Sequence, residues 1–425
     1  MTAGFQMELP GDKSLTHRAL VLAALATGES TIKHPLTSLD ARSMAGGLRR
    51  LGICISPLRG GSVRVVGKGL RGLTQPNGSL NCGNSGTAAR FLLGLLASCP
   101  FPARVTGDAS LRRRPMRRVT RPLQQMGASI TEFAGDGLPL KIRGGPLQSI
   151  DYVSDTASAQ VKSAILFAGL VGGVVVSVTE PVRSRDHTER MLRALGATVE
   201  VRETTVRLIP VDSISPFTAR VPGDPSSAAF LIAASLLVGR PEVTLREIAI
   251  NPTRIGFIRV LRRMGADIEV REVSEFLGEP VGDVIVRGSA LSSTEVHADE
   301  VPSLIDEIPV LAVVASAASG TTTFRGVSEL RVKESDRLTL LAANLSAVGT
   351  DCRVAGDVLY VDGLSRPPRG AVQTGFDHRM AMAFAVMSRI PGASLRLSER
   401  ESPRISYPGF CRDLELVASA TAPSG

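Results

Sequence analysis

Six times along the chain a short polar motif runs straight into a stretch rich in Ala, Leu and Val: DKSLTHR, NSGTAAR, TASAQVKS, PGDPSSAA, RVKESDR and FDHRMA. Each predicts a helix with a polar first turn and an apolar body. The first turn carries unpaired N–H groups and the positive end of the macrodipole, so these openings are candidate seats for anions. If they converge, the ligand carries several negative charges. A second pattern underlies the first. Leu48-x-x-Leu51-Gly52, Leu123-x-x-Met126-Gly127, Leu192-x-x-Leu195-Gly196, Leu261-x-x-Met264-Gly265 and Leu345-x-x-Val348-Gly349 recur roughly every seventy residues. In the middle three the Gly precedes an alternating run, SITEF, TVEVR or DIEVR, which reads as helix, glycine stop, strand. A sixth copy falls near the C-terminus, where Cys411 to Ala418 reads as a helix without the glycine stop.

Six units divide into three and three. Pro10-Gly11-Asp12-Lys13-Ser14 is echoed by Pro222-Gly223-Asp224-Pro225-Ser226, each opening an Ala-rich helix. The expected lobes are therefore 12–222 and 223–425 plus 1–11, joined by two short connections with a ligand cleft between them. The longest apolar run, Ser163 to Val178, is broken at Gly169 and Gly172-Gly173, and reads as a buried helix followed by a buried strand rather than a membrane span.

Composition narrows the ligand. The formal net charge is +9 over 425 residues, but the Arg residues are scattered with no basic block, which favours a local anionic pocket over a nucleic-acid surface. Cys54, Cys82, Cys99, Cys352 and Cys411 are odd in number and lack CxxC spacing, so reduced cytosol is expected and a zinc site is not. The expected location is cytoplasmic, as residues 1–9 do not resemble a signal peptide. Gly67-Lys68-Gly69-Leu70-Arg71-Gly72 satisfies GxGxxG, but Pro76 and Asn77 stand where a dinucleotide-binding helix would run, so a strand-end turn is expected. There is no P-loop, and His17, His34, His187, His297 and His378 are dispersed. Ser85 does not fit a nucleophile elbow; Gly83-Asn84-Ser85-Gly86 reads as a backbone loop offering N–H groups to an anion.

Candidate chemistry gathers at the helix openings. Lys13, Ser14 and Arg18 put an ammonium, a hydroxyl and a guanidinium together, with Ser14 and Arg18 four apart on one face. Arg112, Arg113 and Arg114 repel one another unless an anion is near, and read as a phosphate clamp. Ser158, Ala159 and Gln160, with Lys162 and Ser163, open the third unit, and Arg185-Asp186-His187 lies between a strand and a helix. In the second half Asp306-Glu307 precedes an apolar helix, while Lys333, Glu334 and Arg337 open another. Asp306 and Glu334 are the candidate base and acid. Asp377-His378-Arg379 opens a further helix. Singly, each motif also reads as ordinary capping. Arginine disfavours the positive end of a helix, so Arg114, Arg337 and Arg379 imply an external anion.

Taken in order, PGDKSLTHR, LNCGNSGTAAR, RRRPM, TASAQVKSA, RDHTERML, DEIPVLAV, RVKESDRL and DHRMAMAFA make nearly the whole chain resemble the 5-enolpyruvylshikimate-3-phosphate synthase family. SAQVKS and RDHTE are similar to its class II branch. The resemblance implies an α/β chain folded as a two-lobed inside-out α/β barrel, the enolpyruvyl transferase fold, with six βαβαββ units, three per lobe. It implies transfer of the enolpyruvyl group of phosphoenolpyruvate to the 5-hydroxyl of shikimate 3-phosphate with release of phosphate, in the shikimate pathway to chorismate and aromatic amino acids. Lys13, Ser14, Arg18, Ser158, Ala159, Gln160, Arg185, Asp306 and Lys333 would bind shikimate 3-phosphate. Lys13, Gly86, Arg114, Gln160, Arg337 and Arg379 would bind phosphoenolpyruvate. Asp306 would be the base, and Glu334, with Lys13 an alternative, the acid. No cofactor and no metal are implied, and the expected state is a monomer acting on small molecules, with no nucleic acid or membrane partner.

Two positions bear on the resemblance. Class I members carry a Lys before the final Tyr-Pro-Gly-Phe, where this chain has Ile405 with Arg404 adjacent. Gly86 keeps the small residue that leaves room for glyphosate in the family, so sensitivity is expected. The enzyme alternative is the sister enolpyruvyl transferase acting on UDP-N-acetylglucosamine, which uses a loop Cys as acid; Cys99, before Pro100 and Phe101, sits in a strand-like context. From another class, an RNA-binding or RNA-processing protein would fit the repeated α/β units, but the chain has three Tyr and no Trp for stacking.

Overall fold

The computed structural model describes residues 5–133, 135–399 and 401–419, so the outermost residues of the expected second lobe, 1–4 and 420–425, lie outside the described residues. After the strand Phe5–Glu8 (β1) come α1 (Lys13–Leu25), β2 (Thr27–Lys33), α2 (Leu39–Arg50), β3 (Cys54–Ile55) and β4 (Ser62–Lys68). The second repeat is β5 (Leu80–Asn81), α3 (Gly86–Leu96), β6 (Pro102–Thr106), α4 (Ala109–Arg112), α5 (Arg117–Gln125), β7 (Ser129–Glu132) and β8 (Leu140–Arg143). The third is β9 (Ile150–Val153), α6 (Ala159–Gly172), β10 (Val176–Thr179), α7 (His187–Ala194), β11 (Thr198–Arg202) and β12 (Thr205–Ile209), followed by β13 (Thr218–Arg220).

The fourth repeat is α8 (Pro225–Leu237), β14 (Val243–Ala249), α9 (Gly256–Arg263), β15 (Asp267–Phe276) and β16 (Glu279–Arg287). The fifth is β17 (Glu295–Val296), α10 (Ile308–Ser316), β18 (Thr321–Phe324), α11 (Arg337–Ala347), β19 (Cys352–Ala355) and β20 (Val358–Asp362). The sixth is β21 (Arg369–Val372), α12 (His378–Met387), β22 (Ser394–Leu397) and α13 (Phe410–Ser419).

Five sheets share one topology. The strand before the first helix runs parallel to the strand after it, and the closing hairpin adds two antiparallel strands, as in β5-β6-β8-β7 and β17-β18-β20-β19. In the sixth repeat β21 and β22 pair in parallel and α13 takes the place of the second helix, with no closing hairpin after it among the described residues. Two strands are exchanged: β1 pairs with β14, and β13 pairs with β2. The chain accordingly forms two compact units, one of Gly11–Val221 with the turn Glu275–Glu279, the other of Met1–Pro10, Pro222–Ser274 and Pro280–Gly425.

Within each unit the apolar helices lie inside and the sheets outside. Helices α1, α3 and α6 in one unit, and α8, α10 and α12 in the other, are buried on every side after their first turns. That is what an all-round apolar sequence requires. The second helix of each repeat has one buried stripe; in α9, Phe257, Ile258, Val260 and Leu261 face inward while Arg259 and Arg262 stay out. The strands alternate likewise, β4 strictly exposed then buried along its length. Phe91 and Phe167 meet edge to face at 5.2 Å in one core, Phe230 and Phe410 at 5.9 Å in the other.

This arrangement corrects the inclusion of RVKESDR among the apolar-helix openings. The helix it opens, α11, is one-sided, with Thr339, Ala343 and Ser346 exposed. The helix equivalent to the other five is α10, whose opening is Asp306-Glu307. The five glycine stops all have positive φ, from +89° at Gly52 to +114° at Gly127, as a turn from helix to strand demands. Asp12 and Asp224 cap α1 and α8, accepting from Leu15 N at 2.6 Å and Ser226 N at 2.7 Å. Among the described residues no helix is long and apolar enough to cross a membrane.

Candidate active site

In the unit built on Gly11–Val221, the openings of α1, α3 and α6 carry linked polar side chains. Lys13 Nζ lies 3.1 Å from Asp40 on α2. Arg18 is buried, donating through Nε to Thr188 Oγ1 at 2.7 Å, through Nη1 to Ser14 O at 3.0 Å and through Nη2 to Ser163 Oγ at 3.0 Å, with its guanidinium 5.0 Å from the Phe91 ring centroid. Burial pulls its pKa down to about 10. It therefore ties α1 to α6 and α7.

The opening of α3 is the most cationic. Arg114 donates to Asn84 Oδ1, and to Ser110 Oγ at 3.4 Å. Arg90 donates to Gln160 Oε1 at 2.6 Å and to Pro115 O at 3.1 Å, while Gln160 Nε2 donates to Thr87 Oγ1 at 3.0 Å. Both guanidiniums stand over Gly86, where a Cβ would lie 2.6 Å from Arg90 Nη1 and 3.4 Å from Arg114 Nη1. Only one arginine of the Arg112–Arg114 triplet joins them. Arg112 and Arg113 are exposed, because the short α4 turns successive side chains to different sides, which corrects the three-arginine clamp. Ser158 caps α6, accepting from Val161 N at 3.4 Å, and Arg185 is half-buried just before α7. His17 is fully buried, with Nδ1 2.7 Å from Lys13 O and Nε2 3.3 Å from the Ser85 cap of α3. Burial pushes its pKa down to about 4, so the ring is neutral, donating to Lys13 O and accepting from Ser85.

In the other unit the sequence-predicted carboxylates and arginines meet. Arg337, the first residue of α11, pairs with Asp377 Oδ2 at 2.7 Å and Glu334 Oε2 at 2.5 Å, and lies 3.6 Å from Asp306 Oδ1. Burial alone would lower its pKa, but Asp377, Glu334 and Asp306 raise it. Burial alone would raise Asp377, but Arg337 holds it below the usual carboxylate range. Arg379 donates to Asp306 O at 3.1 Å and lies 3.6 Å from Asp306 Oδ2 and 3.5 Å from Glu307 Oε1. Asp306 thus joins two guanidiniums, and Glu334 shares one of them. Half-buried Lys333 has its pKa lowered by burial, against the pull of Asp306.

Internal carboxylates accompany Arg337 and Arg379, so their place at helix openings does not by itself require an external anion. Sequence reasoning missed Arg90, Arg254 and the role of Glu307. Glu307 is fully buried and accepts from Arg254 Nη1 at 2.9 Å and Ser226 Oγ at 2.5 Å. The one available signal for Arg90 was its spacing of four from Gly86 along a helix. Arg404 is exposed and pairs with Glu401 at 2.7 Å. Cys99 is buried, with its Sγ donating to Leu95 O at 3.4 Å, which is not the place of an open loop cysteine that protonates a substrate. Among the described residues no group of three His, Cys, Asp or Glu could hold a metal ion.

Comparison with known proteins gives a consistent result. The family described as EPSP synthase (3-phosphoshikimate 1-carboxyvinyltransferase) matches residues 5–414. The 3-phosphoshikimate 1-carboxyvinyltransferase of Desulforamulus reducens is 44% identical over 413 residues, 97% of this chain and 96% of that protein. Among solved structures, an EPSP synthase from Acinetobacter baumannii superposes with a TM-score of 0.86 at 38% identity, covering 98% of this chain and 96% of that one. The enolpyruvyl transferase NikO from Streptomyces tendae, at 19% identity, shares the fold alone, with a TM-score of 0.77 over 97% of this chain and 94% of its own.

Proposed function

Because this chain belongs to the EPSP synthase (3-phosphoshikimate 1-carboxyvinyltransferase) family, we propose that it transfers the enolpyruvyl group of phosphoenolpyruvate to the 5-hydroxyl of shikimate 3-phosphate. The observation that carries the residue assignment is the sharing of Arg337 between Asp306 and Glu334, two carboxyls beside a cluster of cations. The reaction needs one group to accept a proton and another to deliver one, twice over. In the addition, Asp306 takes the proton of the 5-hydroxyl while Glu334 protonates the methylene carbon of phosphoenolpyruvate. The 5-oxygen then bonds to the carbon bearing phosphate, giving a tetrahedral intermediate. In the elimination, a proton leaves the new methyl group, the C–O bond to phosphate breaks and the enol ether double bond forms. Lys13 is the second candidate for the donor.

Binding is divided by charge. Lys13, Ser14 and Arg18 hold shikimate 3-phosphate, Arg18 toward its carboxylate; Ser158, Ala159, Gln160 and Arg185 surround its 3-phosphate, and Lys333 and Asp306 take its hydroxyls. Gly86, Lys13, Gln160 and Arg114 hold phosphoenolpyruvate, Arg114 on its phosphate, while Arg337 and Arg379 take its carboxylate. Guanidiniums suit these groups because their planar donors match carboxylate and phosphate oxygens in pairs. The reading is of a cytoplasmic monomer acting on small molecules, and the five free cysteines suit a reducing compartment. The test is phosphate release from the purified protein with phosphoenolpyruvate and shikimate 3-phosphate, run beside phosphoenolpyruvate and UDP-N-acetylglucosamine. Release with the first pair only is expected. Release with neither, or only with the second, overturns the assignment.

A further inference from the structure

Glu180 follows β10 and is 3% exposed, yet it has no role in the chemistry above. Its carboxylate collects four hydrogen bonds. Oε1 accepts from Ser158 N at 2.9 Å; Oε2 accepts from Lys162 Nζ at 2.8 Å, Ser184 Oγ at 2.9 Å and Ser184 N at 3.2 Å. Those partners belong to the opening of α6, to its second turn and to the segment that carries Arg185. We propose that Glu180 is a positioning residue for the 3-phosphate end of shikimate 3-phosphate, fixing Ser158, Ala159 and Gln160 relative to Arg185. The inference rests on the substrate assignment made above.

Only a carboxylate fits this place. A carboxylate has two acceptor oxygens, and here both accept, Oε1 from one donor and Oε2 from three, whereas an amide offers one acceptor oxygen and would turn two N–H donors toward groups that are themselves donors. Lys162, itself buried, is the counter-charge that lets an anion sit beneath a site for anions. Its ammonium also lies 2.8 Å from Glu189 Oε1 in the first turn of α7. Burial would lower its pKa, but Glu189 and Glu180 raise it, so the ammonium stays charged. Ser163 and Thr188 extend the same framework to Arg18. The backbone N–H of Ser158 is thereby held where its hydroxyl can cap α6.

Replacing Glu180 by Gln leaves Lys162 paired with Glu189 and frees the Ser184 segment. The experiment is steady-state kinetics on the full chain together with calorimetric binding of shikimate 3-phosphate and of unphosphorylated shikimate. For Glu180→Gln the expected result is a roughly tenfold rise in KM and Kd for shikimate 3-phosphate, a smaller rise in KM for phosphoenolpyruvate through the shared Gln160, and a Kd for shikimate within about twofold of the parent. Ser184→Ala, which removes one of the four donors and keeps the charge, gives a smaller change in the same direction and serves where Glu180→Gln does not fold. Equal loss of affinity for shikimate and its 3-phosphate, or no change in either, overturns the proposal. A parent protein that releases no phosphate with phosphoenolpyruvate and shikimate 3-phosphate fails the substrate assignment instead.

Discussion

The two guanidiniums over Gly86 set what this position tolerates. A methyl there would meet the far ends of two flexible side chains rather than backbone, so Gly86→Ala displaces Arg90 and brings Arg114 into contact at little cost in stability. The expected outcome is a KM for phosphoenolpyruvate raised about tenfold and weaker glyphosate inhibition, with the melting temperature nearly unchanged; displacements of this size in a binding cluster carry such costs. Inhibition curves at fixed phosphoenolpyruvate check it. At the carboxyls, Asp306→Asn and Glu334→Gln should each lower kcat by about 10²–10⁴, the usual worth of a positioned acid or base, and stopped assays of phosphate release read this directly. Gly86, Asp306 and Glu334 stood out as candidates in the sequence because each sits within a first turn or beside one. Arg90 and Arg254 did not, since a cation inside a helix or a loop looks like surface until its partners, Gln160 and Glu307, are brought to it from distant repeats.

Helix boundaries were legible for a different reason. A glycine stop is a local requirement, so the five Leu-x-x-x-Gly sites announced themselves without any knowledge of the tertiary fold. Gly196 isolates that requirement, because its φ is +91° and no atom lies within 4 Å of an added Cβ. Gly196→Ala should cost about 1–2 kcal/mol of unfolding free energy through backbone strain alone, readable by urea denaturation with kcat unchanged. What the local pattern could not separate was inner from outer helices: α10 and α11 both open on charged residues, and only burial tells them apart. His17 is an inner-helix device of the same kind, joining α1 to the cap of α3. Its folded pKa of about 4 lies below the unfolded 6.5, so the unfolded chain binds the extra proton. Its contribution is complete above pH 6.5 and is lost as the pH falls toward 4, about 2 kcal/mol of it by pH 5. Melts at pH 7 and pH 5 should show that loss, and His17→Gln should remove it from the pH dependence.

At the scale of the molecule, the Pro-Gly-Asp echo marked both connections, since capping by Asp12 and Asp224 is again local. The exchange of β1 and β13 left no such mark, because a strand's sequence says which face is buried and not which distant strand it will join. A chain cut between Val221 and Pro222 should therefore yield halves that copurify: β1 stays with the first half but pairs with β14, and Glu279 stays with the second but bonds His187 Nδ1 at 2.9 Å. Either half expressed alone should be less stable to proteolysis than the pair. The same exchange bears on how the protein is made. On the ribosome β1 is made before the whole of Gly11–Val221 and its partner β14 only after it, while β2 keeps an open edge until Thr218–Arg220 appears. Translation thus leaves β1 without its partner strand while all of Gly11–Val221 is made, the kind of exposed edge that invites wrong pairing and that chaperones cover.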